Sequence, residues 1–206
     1  MTRREFLKAA LASSLYLVSR KVFPASVPAA AAEVGIATGA DSAKAVTAAV
    51  DLVGGIGAYV KPGHVVVVKP NIGWNSPPEV KATTDPLVVR TLVHLCFKAG
   101  ASRVYVFDRT VSNPRLAYVT SGIQKAAEEA GARMLQVDDV EDAKLYPRVT
   151  IADAYFLTES LVCRHALECD SFVNVPIAKH HSSAGLTLAM KNLMGVCGAT
   201  RGQIHR

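Results

Sequence analysis

The stretch Val65-Val66-Val67-Val68-Lys69-Pro70-Asn71 joins four consecutive β-branched residues to a cation, a proline and an amide. The turn Pro62-Gly63 precedes it. An uninterrupted apolar run of this length is typical of a central strand in a parallel sheet, because such a strand is buried on both faces. The stretch therefore predicts an α/β fold with helices on both sides of the sheet.

The rest of the chain alternates short apolar runs with longer helical patterns. Asp41-Ser42 caps a predicted helix through about Val53, and Asp85-Pro86 begins another whose apolar stripe runs to Gly100. Further strands are predicted at residues 34–38, 104–107, 133–137 and 172–175, a helical stretch before Gly131, and a pair of edge strands within 145–162. This alternation predicts a Rossmann-like, mostly parallel sheet whose ligands bind beyond the carboxyl ends of the strands.

The first 32 residues have the organisation of an export signal. Arg3-Arg4 precedes a moderately apolar run over 9–18 and the small-residue stretch Ala29-Ala30-Ala31-Ala32. The run is too short to span a bilayer, which needs about 20 residues. We therefore expect a twin-arginine signal peptide over 1–32, a Rossmann-like domain over 33–206, the twin-arginine translocase as partner, and a periplasmic or extracytoplasmic location. An uncleaved signal would leave a membrane tether.

Composition argues against a nucleic-acid partner. The formal net charge is +6, but residues 1–32 hold five of the 23 basic residues and one of the 17 acids, so 18 basic and 16 acidic residues remain. These are scattered, and aromatic residues make up only 6% of the chain. A basic stripe with interleaved aromatics, which nucleic-acid binding requires, is missing.

The four cysteines do not form a metal-binding pattern. Their even number permits disulfides in an oxidising compartment, but no pair has the C-x-x-C spacing of a zinc ribbon or an iron–sulfur motif. Buried thiols are the favoured interpretation.

Polar side chains follow three of the predicted strands directly. They are Lys69, Asn71, Asp108, Lys179, His180 and His181. Parallel strands end at the same edge of a sheet, so these residues are expected to converge on a small-molecule ligand. The two imidazoles suit a metal or acid–base catalysis, with a solvated loop pair as the alternative. Lys191 joins them only if its helix, expected to begin near Gly185, crosses that rim; otherwise it is a surface lysine.

Other motifs are excluded by their context. Gly54-Gly55-Ile56-Gly57 follows a helix instead of a strand, so it is no dinucleotide fingerprint, and the chain has neither a P-loop nor a G-x-S-x-G elbow. His94 shares a predicted helix face with Arg90 and Lys98, which indicates that this face is exposed to solvent. His64 lies at the opposite end of its strand from Lys69. Neither histidine is assigned to the site.

Four segments together resemble the "domain of unknown function 362" family. They are the stretch 65–71, Thr83-Thr84-Asp85-Pro86, the turn Gly100-Ala101 with the strand that ends at Asp108, and residues 185–195. The resemblance covers residues 34–206. The family has no assigned reaction, and some members carry ferredoxin-like iron–sulfur segments, which implies a redox partner; this sequence lacks those cysteines. Members usually continue beyond the position of Arg206, so the resemblance implies a domain that is incomplete at its C-terminus.

A more distant likeness is to nickel-pincer lactate racemase. His181, Gly185, Lys191 and His205 fall in an order similar to the residues that surround its cofactor, although Lys69-Pro70-Asn71 replaces its arginine-bearing loop. This is a likeness of fold, and fold alone does not assign function. It does imply that a metal or metal-containing cofactor would suit the site.

Two functional hypotheses follow. In the first, the protein is a cofactor-dependent enzyme that acts on a small anionic or metal-containing ligand. In the second, it is a non-catalytic exported domain that binds a ligand or partner at the same rim. The candidate residues are Lys179, His180, His181, Lys191 and Asp108 for catalysis, Lys69, Asn71 and Asn192 for ligand binding, and His180 and His181 for a metal.

Overall fold

The structure is a computed structural model that describes residues 34–154 and 157–198. The expected signal peptide and His205 lie outside these ranges. Within them, no helix has the length and apolar character needed to cross a membrane.

Eight strands and six α-helices make up this part of the chain. The strands are β1 (Val65–Pro70), β2 (Arg103–Val106), β3 (Arg133–Met134), β4 (Arg148–Thr150), β5 (Glu159–Leu161), β6 (Ser171–Val175), β7 (Lys179–His181) and β8 (Gly185–Thr187). The helices are α1 (Ser42–Leu52), α2 (Pro86–Lys98), α3 (Pro114–Thr120), α4 (Ile123–Glu129), α5 (Arg164–Glu168) and α6 (Ala189–Asn192). Short 3₁₀ turns cover Ile56–Ala58, Pro78–Val80 and Leu193–Val196.

The main sheet is parallel and has the strand order β3-β2-β1-β6. The prediction of a central β1 is confirmed, since Val68 lies between Val106 of β2 and Val173 of β6. Successive side chains of a strand point to opposite faces. Val66 and Val68 accordingly pack into a core with α2, α3 and α4, whereas Val67 packs into a second core with α5 and the turn Leu193–Val196. The α/β architecture is therefore as expected.

The predicted starts of the first two helices are also confirmed. The Asp41 carboxylate accepts hydrogen bonds from the backbone N–H groups of Ala43 and Lys44 at the start of α1. Asp85 does the same for Leu87 at the start of α2, where Pro86 occupies the first turn. The apolar stripe of α2 is buried, as its spacing predicts.

Three predicted elements differ from the structure. Residues 34–38 form no strand: Val34 and Ile36 are 80% and 77% exposed, because no neighbouring strand pairs with the segment. The strand expected over 133–137 ends at Met134. The edge strands expected within 145–162 do form, as the antiparallel pair β4 and β5, but in a sheet of their own.

The prediction for the segment after β6 was wrong in its local structure. Residues 179–187, expected as a loop and the start of a long helix, form the antiparallel hairpin β7-β8, and α6 is only four residues long. The Thr187 hydroxyl donates to the backbone oxygen of Ile177, which holds the second strand extended. Leu186 and Met190, both within the segment expected to be helical, are 51% and 87% exposed.

All four cysteines are free thiols. Cys96, Cys163 and Cys169 are buried, as expected, and Cys197 is partly exposed. Burial raises the pKa of the Cys96 thiol to about 12 and that of Cys169 to about 11. These two thiols are therefore protonated at neutral pH and are weak nucleophiles.

Candidate functional site

A buried ion pair lies where β1 and β2 end. Lys69 has no exposed surface, and its Nζ lies 2.7 Å from Oδ1 of Asp108. The same ammonium donates to the backbone oxygen of Pro70 at 2.8 Å and to Oδ1 of Asn192 at 3.1 Å. An ammonium has three donors, so each has a protein partner. We call Lys69, Asp108 and Asn192 the floor of the site.

Asn192 connects this floor to the strands. Its Nδ2 donates to the backbone oxygen of Lys69 at 3.1 Å and to Oδ1 of Asn174 at 2.8 Å. Its Oδ1 accepts from Lys69 and, at 3.4 Å, from Nδ2 of Asn71. The amide thus has partners for both donors and for both acceptor positions, which fixes α6 against β1 and β6.

The turn Leu193–Val196 covers the ion pair, and Gly195 makes this close approach feasible. A Cβ atom at Gly195 would lie 1.8 Å from Oδ1 of Asp108 and 2.6 Å from Nζ of Lys69. The backbone oxygen of Gly195 accepts from the N–H of Arg109 at 3.1 Å. Asp108 is also held from the other side, since its Oδ2 accepts from the N–H of Ile72 at 2.6 Å. The carboxylate is therefore enclosed on two sides.

A second group of residues adjoins the floor through the hydrogen bond between Asn71 and Asn192, and we call Asn71, Lys179 and Lys191 the rim. The helix α6, which carries Lys191, begins at Ala189 and not near Gly185, but the Lys191 charge still acts on Lys179. The Lys179 ammonium, on β7, donates to Oδ1 of Asn71 at 3.1 Å and to the backbone oxygen of Ala82. Its partial burial lowers the pKa of Lys179; the Lys191 charge lowers it further, and the Asp108 charge opposes the shift. Lys69 already neutralises Asp108, and Lys179 and Lys191 each bring a positive charge to the rim.

The hairpin places the two histidines differently. Alternate residues of a strand share a face, so His181 lies on the same side of β7 as Lys179, and the exposed His180 lies on the other. Nδ1 of His181 accepts from the N–H groups of Ser183 and Ala184 at 3.2 Å each. The strand therefore separates the two imidazoles. Across 34–154 and 157–198, no cluster of three or more His, Cys, Asp or Glu residues could hold a metal ion, and metal binding by the pair stays a prediction.

Comparison with known proteins assigns the family. The model of the domain of unknown function DUF362 matches residues 66–206, which is most of the chain. The chain belongs to the DUF362 family. It is also 27% identical over 143 residues to the thylakoid-associated protein sll1697 of Synechocystis sp. (strain ATCC 27184 / PCC 6803 / Kazusa), an alignment that covers 69% of this chain and 42% of that protein. The chain thus spans less than half the length of this relative. No solved structure matches it.

Every residue of the floor and rim lies within the range that matches DUF362. Among the residues selected from the sequence, the structure joins Lys69, Asn71, Asp108, Lys179 and Asn192 in one hydrogen-bonded network. His64 lies at the opposite end of β1, with Nδ1 2.9 Å from the Ser171 hydroxyl, and His94 is exposed on α2.

Sequence reasoning missed three members of this candidate site. Asn174 was detectable, because it is a polar residue within the otherwise apolar strand 172–175. Thr84, whose hydroxyl accepts from the N–H of Asn71 and donates to the backbone oxygen of Val175, ties the first loop to the end of β6. Thr84 and Gly195 lie in segments that resemble the family, but nothing in those segments indicates their contacts, because their partners are distant in sequence.

Proposed function

We propose that this DUF362 protein binds a small anionic ligand at the rim, where Lys179 and Lys191 receive the negative charge. The observation that carries the proposal is the position of Lys179. Its ammonium is held partly buried by hydrogen bonds to Asn71 and Ala82, and the charge of Lys191 acts on it. The charge of Asp108 also acts on Lys179, but Lys69 already neutralises that carboxylate. Two cations in a partly desolvated position attract an anion more strongly than they would in water.

The floor supports this binding without contacting the ligand. Lys69 and Asp108 are buried, and the donors of Lys69 already have partners within the chain. Their role is to hold Asn192, whose Oδ1 accepts from Asn71, while Asn71 in turn orients Lys179. Groups held in the bound geometry before the ligand arrives lose less entropy on binding, which increases affinity.

Titration with inorganic phosphate, followed by calorimetry, tests the rim. A hydrogen bond to a charged group contributes about 1.5–3 kcal/mol, so Lys179→Met and Lys191→Met should each weaken phosphate binding about tenfold or more. Lys125→Met is the matched control, because the Lys125 side chain is 83% exposed and pairs with Glu129 on its own helix. Equal affinity in all three variants would exclude the rim as the anion site.

Catalysis at the same rim is the second candidate, and the lowered pKa of Lys179 favours it. A lysine whose ammonium is destabilised can accept a proton closer to neutral pH, and His181 lies on the same face of β7 as a second proton-transfer group. Mass spectrometry and metal analysis of protein purified from its native host would detect a bound cofactor or reaction product. Recovery of a chemically unaltered anion alone would instead support a non-catalytic binding domain.

We also propose export through the twin-arginine translocase. The support is the pair Arg3-Arg4 with the short apolar run that follows it. Changing both arginines to lysine should leave an uncleaved precursor in the cytoplasm, and normal export of that variant would refute the proposal.

A further inference from the structure

The single tryptophan of the chain lies in the loop that follows β1. Trp74 is 49% exposed, although large aromatic side chains are usually well buried in proteins. Its loop begins after Pro70, the last residue of β1, and leads through Pro77 into the 3₁₀ turn that starts at Pro78, and each proline ring restricts the backbone. The indole is therefore presented to solvent on a stiffened loop.

This loop reaches the rim through Gly73. A Cβ atom at Gly73 would lie 3.5 Å from Oδ1 of Asn71, the oxygen that accepts the Lys179 hydrogen bond. Adjacent Cα atoms are 3.8 Å apart, so the Cα of Trp74 lies within about 9 Å of that oxygen. Gly73 therefore lies directly beside the Asn71 amide.

A second exposed apolar residue is fixed beside the same glycine. The N–H of Val111 donates to the backbone oxygen of Gly73 at 3.0 Å, and its side chain is 64% exposed. Trp74 and Val111 are thus two exposed apolar residues next to Gly73, and Gly73 adjoins the Asn71 amide that Lys179 contacts. Sites for small molecules combine apolar walls with a few converging polar groups in this way.

From this juxtaposition we infer that the ligand is an organic anion with a planar apolar body. Its anionic group binds Lys179 and Lys191, and its ring covers the indole of Trp74. Aromatic rings attract each other in offset or edge-to-face arrangements beyond the effect of the area they bury. The inference rests on the proposed anion site and adds the chemical class of the ligand.

Phenyl phosphate and methyl phosphate separate the contribution of the ring from that of the anionic group, since both are phosphate monoesters and only phenyl phosphate carries a ring. Because a ring pair gains affinity beyond the area it buries, phenyl phosphate should bind about tenfold more tightly than methyl phosphate. Binding should also change the fluorescence of Trp74, which is the chain's one tryptophan. Trp74→Ala should abolish the preference for phenyl phosphate while leaving the calorimetric affinity for inorganic phosphate unchanged.

The outcomes distinguish the inference from the proposed function. Trp74→Phe retains an aromatic ring and should retain most of the preference, which controls for local changes in the loop. If the wild-type protein binds both esters equally and Lys179→Met weakens both, the anion site stands and the inference fails. If no phosphate compound binds the wild-type protein, both are overturned.

Discussion

Asn71 and Asn192 are hydrogen-bonded to each other, and each accepts a hydrogen bond from a different lysine. Lys69 donates to Asn192 and Lys179 donates to Asn71, and the surroundings of the two lysines differ. Lys69 has no exposed surface and three partners, including the Asp108 carboxylate 2.7 Å away. Lys179 is only partly buried, hydrogen-bonds to two uncharged oxygens, and has a lowered pKa. The contrast indicates that the charge of Lys69 stabilises the fold, whereas the charge of Lys179 is held in place without a carboxylate hydrogen-bonded to it.

Removal of Lys69 should produce the largest effect. Lys69→Met leaves the Asp108 carboxylate buried without its counter-charge, and breaking a buried ion pair in this way costs about 3–5 kcal/mol. Urea unfolding should show this loss in the free energy of unfolding. The double variant Lys69→Met/Asp108→Asn removes both charges and should recover part of it, because no unpaired charge remains.

Lys125→Met is the control for the loss of a lysine, since exposed pairs contribute about 0–1 kcal/mol. If Lys69→Met does not fold, Gly195→Ala tests the same ion pair more gently. Its new Cβ would lie 1.8 Å from Asp108, whereas Gly57→Ala meets nothing within 4 Å. Overpacking of this kind costs about 1–3 kcal/mol. Unchanged stability in both Lys69→Met and Gly195→Ala would contradict a structural role for the floor.

Elements with signals inside their own sequence were predicted well. The apolar run of β1 specifies burial on both faces, and Asp85-Pro86 specifies the start of α2, wherever the rest of the chain lies. Residues 34–38 have the composition of a strand but no neighbouring strand, so the same kind of pattern stays exposed. A strand requires a partner, and its own sequence does not supply one.

Prediction of the candidate site from the sequence meets the same limit. Parallel strands place Lys69 and Asp108 at one edge of the sheet, which the sequence indicates, but their burial depends on Gly195 in a turn that closes over them. The contacts of Asn192 with Lys69 span 123 residues. The histidine pair was expected in a loop, yet it lies on a strand because β8 pairs with it. Contacts between distant segments decided each of these outcomes.

The smallest predicted effect is the pH dependence contributed by Lys179. Its folded-state pKa lies below the ordinary value of 10.5, chiefly because of burial. Between these two pKa values the unfolded chain holds more protons, so the wild-type protein should gain stability relative to Lys179→Met as the pH rises through this window. Partial exposure screens the interaction, so the change should be much smaller than that from Lys69→Met.

The urea unfolding midpoints of the wild-type protein and Lys179→Met, measured from neutral pH to above the ordinary lysine pKa, test the direction of this stability change. Phosphate affinity should follow the opposite trend and fall with rising pH, because the anion requires the charged ammonium that burial destabilises. Inorganic phosphate is itself only half titrated near neutral pH, so the loss of affinity is read at pH values well above neutral, where phosphate is a dianion throughout and the change reports on the protein. Lys125→Met should keep the wild-type pH dependence in both measurements. If Lys179→Met also keeps it, Lys179 does not differ from a surface lysine and the contrast with Lys69 loses its functional meaning.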